Sequence, residues 1–101
     1  MIPFPMPDDS SQPPVEHDEA RRRFAVSIDG LLAHADYVIE DGRMVCTHTF
    51  VPPELRGRGL AGQLVRAALD EARRRHLRVV PACSYVAAFV RRHPEFRDLL
   101  A

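Results

Sequence analysis

The run from Val51 to Gly62, VPPELRGRGLAG, sets three glycines between a β-like segment and the start of an amphipathic helix. Gly57 and Gly59 let the chain turn tightly and approach a ligand with no Cβ in the way. A helix beginning near Leu60 aims its unpaired first-turn amides and its positive dipole end at the same point. The chemistry implied is retention of an anion, with a diphosphate the leading expectation. Three side chains have the chemistry to move protons or carry a group. His48 lies close to the end of the segment entering the loop, and imidazoles titrate near neutral pH, so it is a candidate base. Cys83 precedes a helix start, a setting that favours a thiolate, so it is a candidate nucleophile or proton donor. Tyr85 is a candidate acid of the same kind. The structural readings stand beside these: a histidine within a strand, a small cysteine in a core, an aromatic anchor. Glu54 sits in a Pro-rich turn and reads as a solvated surface residue.

The elements that must position these residues are legible in the periodicity. Phe24, Val26 and Ile28 alternate with smaller or polar neighbours, Asp29-Gly30 supplies a turn, and Leu31 to Glu40 reads as a second strand. Asp41-Gly42 is a hairpin signal leading into Arg43 to Val51. Strict alternation there predicts that Met44, Cys46, His48 and Phe50 share one face, with Val45, Thr47, Thr49 and Val51 on the other. His34, Asp36 and Tyr37 on the second strand could line a substrate surface, although polar alternation on a half-solvated strand needs no function. After the loop, Leu60, Ala61, Leu64, Val65, Ala68, Leu69 and Ala72 recur at helical spacing, with Asp70–Arg74 and Glu71–Arg75 paired four apart. Leu77 to Pro81 is a short strand, and a helix over Tyr85 to Arg92, capped by Ser84, stops at His93-Pro94. The expected order is βββ, then αβα, in an α/β domain.

Two familiar glycine loops do not fit. Gly57, Gly59 and Gly62 satisfy GxGxxG, but a dinucleotide fold needs a preceding parallel βαβ unit and an acidic residue about twenty positions on. No Asp or Glu occurs between Glu71 and Glu95. A phosphate-binding Walker loop needs a Lys followed by Ser or Thr, and the chain has no Lys.

Arg56 to Ala61, RGRGLA, matches the R/Q-x-x-G-x-G/A signature of the GNAT superfamily of N-acetyltransferases. With the element order and the segment PACSYVAAFVRRHPEF, the chain resembles the very small, single-domain members of that superfamily over residues from about 24 to 100. The resemblance implies a mostly antiparallel sheet with a splayed strand pair that forms a slot for coenzyme A. It implies that acetyl-coenzyme A donates an acetyl group to a primary amine by direct attack, with no metal. The backbone amides from Arg56 to Ala61, through Gly57, Arg58, Gly59 and Leu60, would hold the diphosphate. Phe50 and Val51 would run beside the pantetheine, with Leu77 to Pro81 as the partner strand and Cys83 and Phe89 lining the slot. His48 would serve as base, and Cys83 or Tyr85 as acid. Small members commonly carry Glu where this chain has Phe50. The short connection from Ile28 to Leu31 leaves out the helices that wall the acceptor site in larger members, which suits an exposed amine, such as that of a protein or peptide. The alternative is a non-catalytic acyl-coenzyme A-binding module; a small interaction domain ranks last.

Composition bounds the rest. In 101 residues, 14 basic side chains, all Arg, balance 14 acidic ones, so no overall field draws the chain to nucleic acid or to acidic lipid. No apolar run approaches the roughly twenty residues that span a bilayer. Met1 to Pro7 is interrupted by prolines and lacks a basic start, unlike a secretory signal. Residues 1–20 are expected to form a flexible Pro-, Asp- and Ser-rich tail, and 21–101 the domain. Cys46 and Cys83 have no CxxC or His-x-x-His company, which suggests reduced thiols in the cytoplasm and no zinc. Exposed sheet edges in so small a domain are compatible with a homodimer without fixing one.

Overall fold

Two turns organise the sheet. Asp29 and Gly30 have φ of 52° and 77°, and Asp41 and Gly42 have 54° and 72°. Paired positive φ values match the right-handed twist of the strands that a two-residue loop joins. A computed structural model describes residues 13–101, and its strands are β1 (Glu16–Asp18), β2 (Arg23–Ile28), β3 (Leu31–Glu40), β4 (Arg43–Phe50) and β5 (Arg78–Pro81). They lie in that order in one sheet, antiparallel from β1 to β4, with β5 parallel to β4. Helix α1 (Leu60–Arg74) makes the crossover between β4 and β5, and α2 (Ser84–Arg92) follows β5. Short 3₁₀ turns occupy Pro53–Leu55 and Pro94–Leu99.

The apolar stripe of α1 is buried as its spacing predicts, through Leu60, Leu64, Val65, Ala68, Leu69 and Ala72. It packs on Phe24, Val26, Ala33, Ala35, Tyr37 and Met44 of the sheet. Each fully buried large side chain contributes about 1.5–3 kcal/mol over exposure, so this interface contributes substantially to stability. Beyond α2, Phe96 and Leu99 are buried, Leu100 bridges Val79, and the Ala101 N–H donates to the Val79 carbonyl at 3.0 Å. The chain end thereby extends the sheet beside β5.

Three local expectations are corrected. First, the folded region begins before residue 21, because β1 pairs with β2 through Glu16↔Ala25 and Asp18↔Arg23. His17 stacks on Phe24 with ring centroids 4.1 Å apart and hydrogen-bonds the Tyr37 hydroxyl. A strand of sequence Glu-His-Asp gives no apolar alternation to detect. Residues 1–12 of the expected tail lie outside the described residues. Second, the helix ion pairs and a helix cap differ: Arg74 bonds Glu71, Arg75 reaches Glu19 at 3.8 Å, and Arg73 bonds Asp98 at 2.8 Å. Cys83, not Ser84, occupies the N-cap of α2.

The third correction bears on the site. Asp36 pairs with His48 but Tyr37 pairs with Cys46, so Thr47 is an extra residue in β4. Such a bulge resets which face the following side chains take. Met44 and Cys46 face the helices, but beyond Thr47 the phase changes. Ala35↔Thr49 puts Thr49 on the helix side, whereas Asp36↔His48 and His34↔Phe50 send His48 and Phe50 to the opposite face. That face carries Arg23 and Ala25 of β2, His34 and Asp36 of β3, and His48 and Phe50 of β4, and none of these residues is buried.

Candidate functional site

The glycine loop joins the bulged end of β4 to α1. Val51 and Pro52 leave the sheet, the 3₁₀ turn at Pro53–Leu55 buries Leu55, and Arg56 folds back so that its Nε–H donates to the Val51 carbonyl at 3.1 Å. Gly57 (φ 84°) and Gly59 (φ 76°) are both left-handed, and a Cβ built on either would meet nothing within 4 Å. Gly59 is the N-cap of α1, and the first helical hydrogen bond runs from the Gln63 N–H to the Gly59 carbonyl. The amides of Leu60, Ala61 and Gly62 thus precede the ladder, as the first donors of any helix do.

An open cleft of about 420 Å³ lies over this loop. Phe50, Val51, Arg56, Gly57, Gly59, Leu60 and Ala61 line it, as does Tyr85 from α2. Gly62, the third glycine of the run, also lines it, as do Thr49 and Leu55, which the sequence pattern does not single out. Arg58 is outside that lining. Phe89 is buried below it, with a ring carbon 3.7 Å from where a Gly62 Cβ would stand; the Tyr85 hydroxyl is 3.8 Å from the same point.

The slot between β4 and β5 opens where their pairing ends. The ladder stops at Cys46↔Pro81, and the Cys83 N–H donates to the Cys46 carbonyl at 2.9 Å. From Thr47 onward β4 has no β5 partner. Cys83 sits at this fork, its Sγ 3.6 Å from the Thr49 hydroxyl. Burial pushes the Cys83 thiol up, but the amides of Val86, Tyr85 and Thr49 and the Thr49 hydroxyl outweigh it, and the thiol lies below its ordinary value. Cys46, deep in the core, is pushed up to about 12 by burial, with a smaller contribution from the charge of Cys83.

His48 stands on the far side of the sheet from Cys83. Its ring centroid is 6.1 Å from that of His34, which is 5.8 Å from Phe50. His34 Nδ1 is 2.8 Å from Asp36 Oδ1, and Arg23 Nε lies 3.4 Å from the same oxygen. Phe50 therefore touches both the cleft and the histidine cluster. Among the described residues no group of three or more His, Cys, Asp or Glu side chains could hold a metal. No helix among them is long and apolar enough to cross a membrane.

The family model of the GCN5-related N-acetyltransferases matches residues 23–99, nearly the whole of this architecture. The chain belongs to the GCN5-related N-acetyltransferase family. Within the wider set of relatives, it is 40% identical over 83 residues to Protein NATD1 of Bos taurus, covering 79% of this chain and 74% of that one. It is 36% identical over 90 residues to Protein NATD1 of Xenopus tropicalis, covering 86% and 83%. The fold matches the NMR solution structure of a protein from Staphylococcus aureus described as GCN5-like, with a TM-score of 0.70 at 23% identity over 90% of each chain. The expected α/β fold of the family is present, with one additional short strand, β1, ahead of the expected order.

Proposed function

We propose that this family member is an N-acetyltransferase that passes an acetyl group from acetyl-coenzyme A to a primary amine by direct attack. The observation that carries the reading is the coincidence of three features at one cleft: the forked end of β4 and β5, the left-handed glycines, and the free amides opening α1. The loop amides from Arg56 to Ala61 would hold the diphosphate, with Arg56 and Arg58 adding charge nearby. Val51 and Phe50 would border the pantetheine, whose amides can bond the unpaired end of β4 as a strand would.

Transfer needs a neutral amine, a polarised thioester carbonyl and a proton for the departing thiolate. Tyr85 lines the cleft and carries an O–H that can donate, and Cys83 is the alternative acid at the fork. The base would be an imidazole reached from the open face of the sheet, His48 being the one the sequence singles out. The uncovered face suits an amine displayed on a protein or peptide. Two free cysteines accord with a cytoplasmic setting.

A non-catalytic acyl-coenzyme A-binding module is supported by one feature: among the described residues no imidazole or carboxylate lines the cleft. Isothermal titration with acetyl-coenzyme A and coenzyme A, followed by turnover with a panel of primary amines and lysine peptides, separates the two. Binding with acetylated product supports the enzyme. Binding without product on any amine supports the module, and no binding at millimolar ligand removes both.

A further inference from the structure

We propose that Asp36 and His34 form a carboxylate–imidazole dyad that accepts the proton of the acceptor amine, with His34 as the base and Asp36 as its positioning residue. This rests on the acetyltransferase reading above.

The argument begins with tautomers. Asp36 Oδ1 and His34 Nδ1 are 2.8 Å apart. A carboxylate only accepts hydrogen bonds, so the proton of neutral His34 sits on Nδ1, and Nε2 is left with the lone pair. Arg23 faces the same oxygen from β2 at 3.4 Å and balances its charge. Its Nε is buried without a hydrogen bond, so its role here is that of a counter-charge and not a geometric clamp. Among the described residues, the charged and titratable groups around the dyad on this face are Arg23 of β2 and His48 of β4, with Asp18 and Glu16 of β1 beyond β2.

His48 is arranged differently. It is exposed and makes no side-chain hydrogen bond among the described residues, its ring meeting only that of His34. The His34 side chain retains 16% exposure, is held on one side by Asp36, and has the Phe50 ring 5.8 Å away. Phe50 also lines the cleft, so the dyad is separated from the cofactor cleft by one ring. A fixed tautomer beside the reaction slot is what a general base requires, and a freely turning imidazole does not supply it.

The step balances as follows. One ammonium proton of the acceptor passes to His34 Nε2, giving a neutral amine and an imidazolium stabilised by Asp36. The amine lone pair forms the C–N bond at the thioester carbonyl as the C–S bond breaks. The second proton leaving nitrogen ends on the coenzyme A thiolate, and His34 returns its proton to solvent.

The test uses the full chain. Nitrogen-15 NMR of the His34 ring in the free protein should show the Nδ1–H tautomer, and Asp36→Asn should lose that preference. With a primary alkylamine found active in the panel, His34→Gln should lower kcat/KM at pH 7 by about a hundredfold or more and remove the imidazole limb of the pH profile. Asp36→Asn should lower it by at least tenfold. With methoxyamine, which is already neutral at pH 7, both losses should be far smaller, while coenzyme A affinity stays within about twofold in titration. An Nε2–H ring in the wild type, or equal losses with both amines, overturns the dyad. Retained alkylamine turnover in His34→Gln with loss in His48→Gln also overturns it and returns the role to His48. If the wild type binds acetyl-coenzyme A but acetylates nothing, the acetyltransferase reading fails and the proposal falls with it.

Discussion

Gly59 and Gly30 allow the phosphate-loop argument to be tested against its own control. Their φ angles are 76° and 77°, and a Cβ on either meets nothing within 4 Å, so alanine costs the same backbone strain at both sites. A left-handed non-glycine residue costs about 1–2 kcal/mol. Alanine recovers about 0.4–1 kcal/mol of that by restricting the unfolded chain. The net loss is about 1 kcal/mol in each variant, a fall in Tm of roughly 4–8 °C for a domain of this size. Ligand binding should separate them. To the extent that the loop in Gly59→Ala escapes this strain by leaving the left-handed region, its Tm falls less and coenzyme A must restore the turn at up to about 1–2 kcal/mol, weakening Kd by up to about five- to thirtyfold. Gly30 lies in the β2–β3 turn, so Gly30→Ala should bind as the wild type does. Thermal denaturation and isothermal titration on the two variants measure both quantities. A Gly59→Ala variant whose Tm falls less than that of Gly30→Ala but whose Kd equals the wild-type value, or equal weakening in both variants, would falsify the assignment of the loop as the diphosphate cradle.

The core and its thiols yield further expectations. Gly62→Ala should raise stability by about 0.5–1 kcal/mol, because the position is helical and the new methyl meets Phe89 and Tyr85 at ordinary contact distances of 3.7 and 3.8 Å; a fall in Tm would show that the cleft wall has no room. Met44 is wholly buried between sheet and α1, so Met44→Ala should cost about 2–5 kcal/mol by urea denaturation. Because the folded Cys46 thiol is raised from 9.0 to about 12, its contribution is complete below the unfolded value and is lost as pH climbs from 9 toward 12. The Cys46 share of that slope should be up to about 1.4 kcal/mol per pH unit and should be lost in Cys46→Ala, leaving the share of Tyr37, whose hydroxyl is also pushed up by burial. At neutral pH iodoacetamide should label Cys83 and leave Cys46 unmodified until the chain unfolds, because only Cys83 is displaced toward the thiolate and reachable from solvent; labelling of Cys46 in the native protein would contradict its burial.

Much of this protein is decided locally, and local decisions can be read from the chain. Asp29-Gly30 and Asp41-Gly42 specify two hairpins because each pair tolerates positive φ. The stripe from Leu60 to Ala72 specifies α1 because its spacing leaves one apolar face to bury. RGRGLA marks the loop because glycines there need their conformational freedom. What the alternation rule could not supply was the bulge at Thr47: strict period two set His48 beside Met44 and Cys46, whereas one inserted residue turned His48 and Phe50 to the opposite face. No side chain of Thr47 announces this, since a bulge is a property of two paired strands and not of one. For the same reason β1 escaped notice, because its polar residues become a strand only with β2 to pair against, and His17 joins the core only through Phe24 and Tyr37. The Asp36–His34 contact needs residues two apart on one strand face, which the sequence contains. Its juxtaposition with Arg23, His48 and Phe50 exists only once three strands are in register. Turns, helix and glycine loop follow from the preferences of neighbouring residues along the chain, whereas the face that each functional side chain occupies follows from long-range pairing, which only the folded sheet fixes.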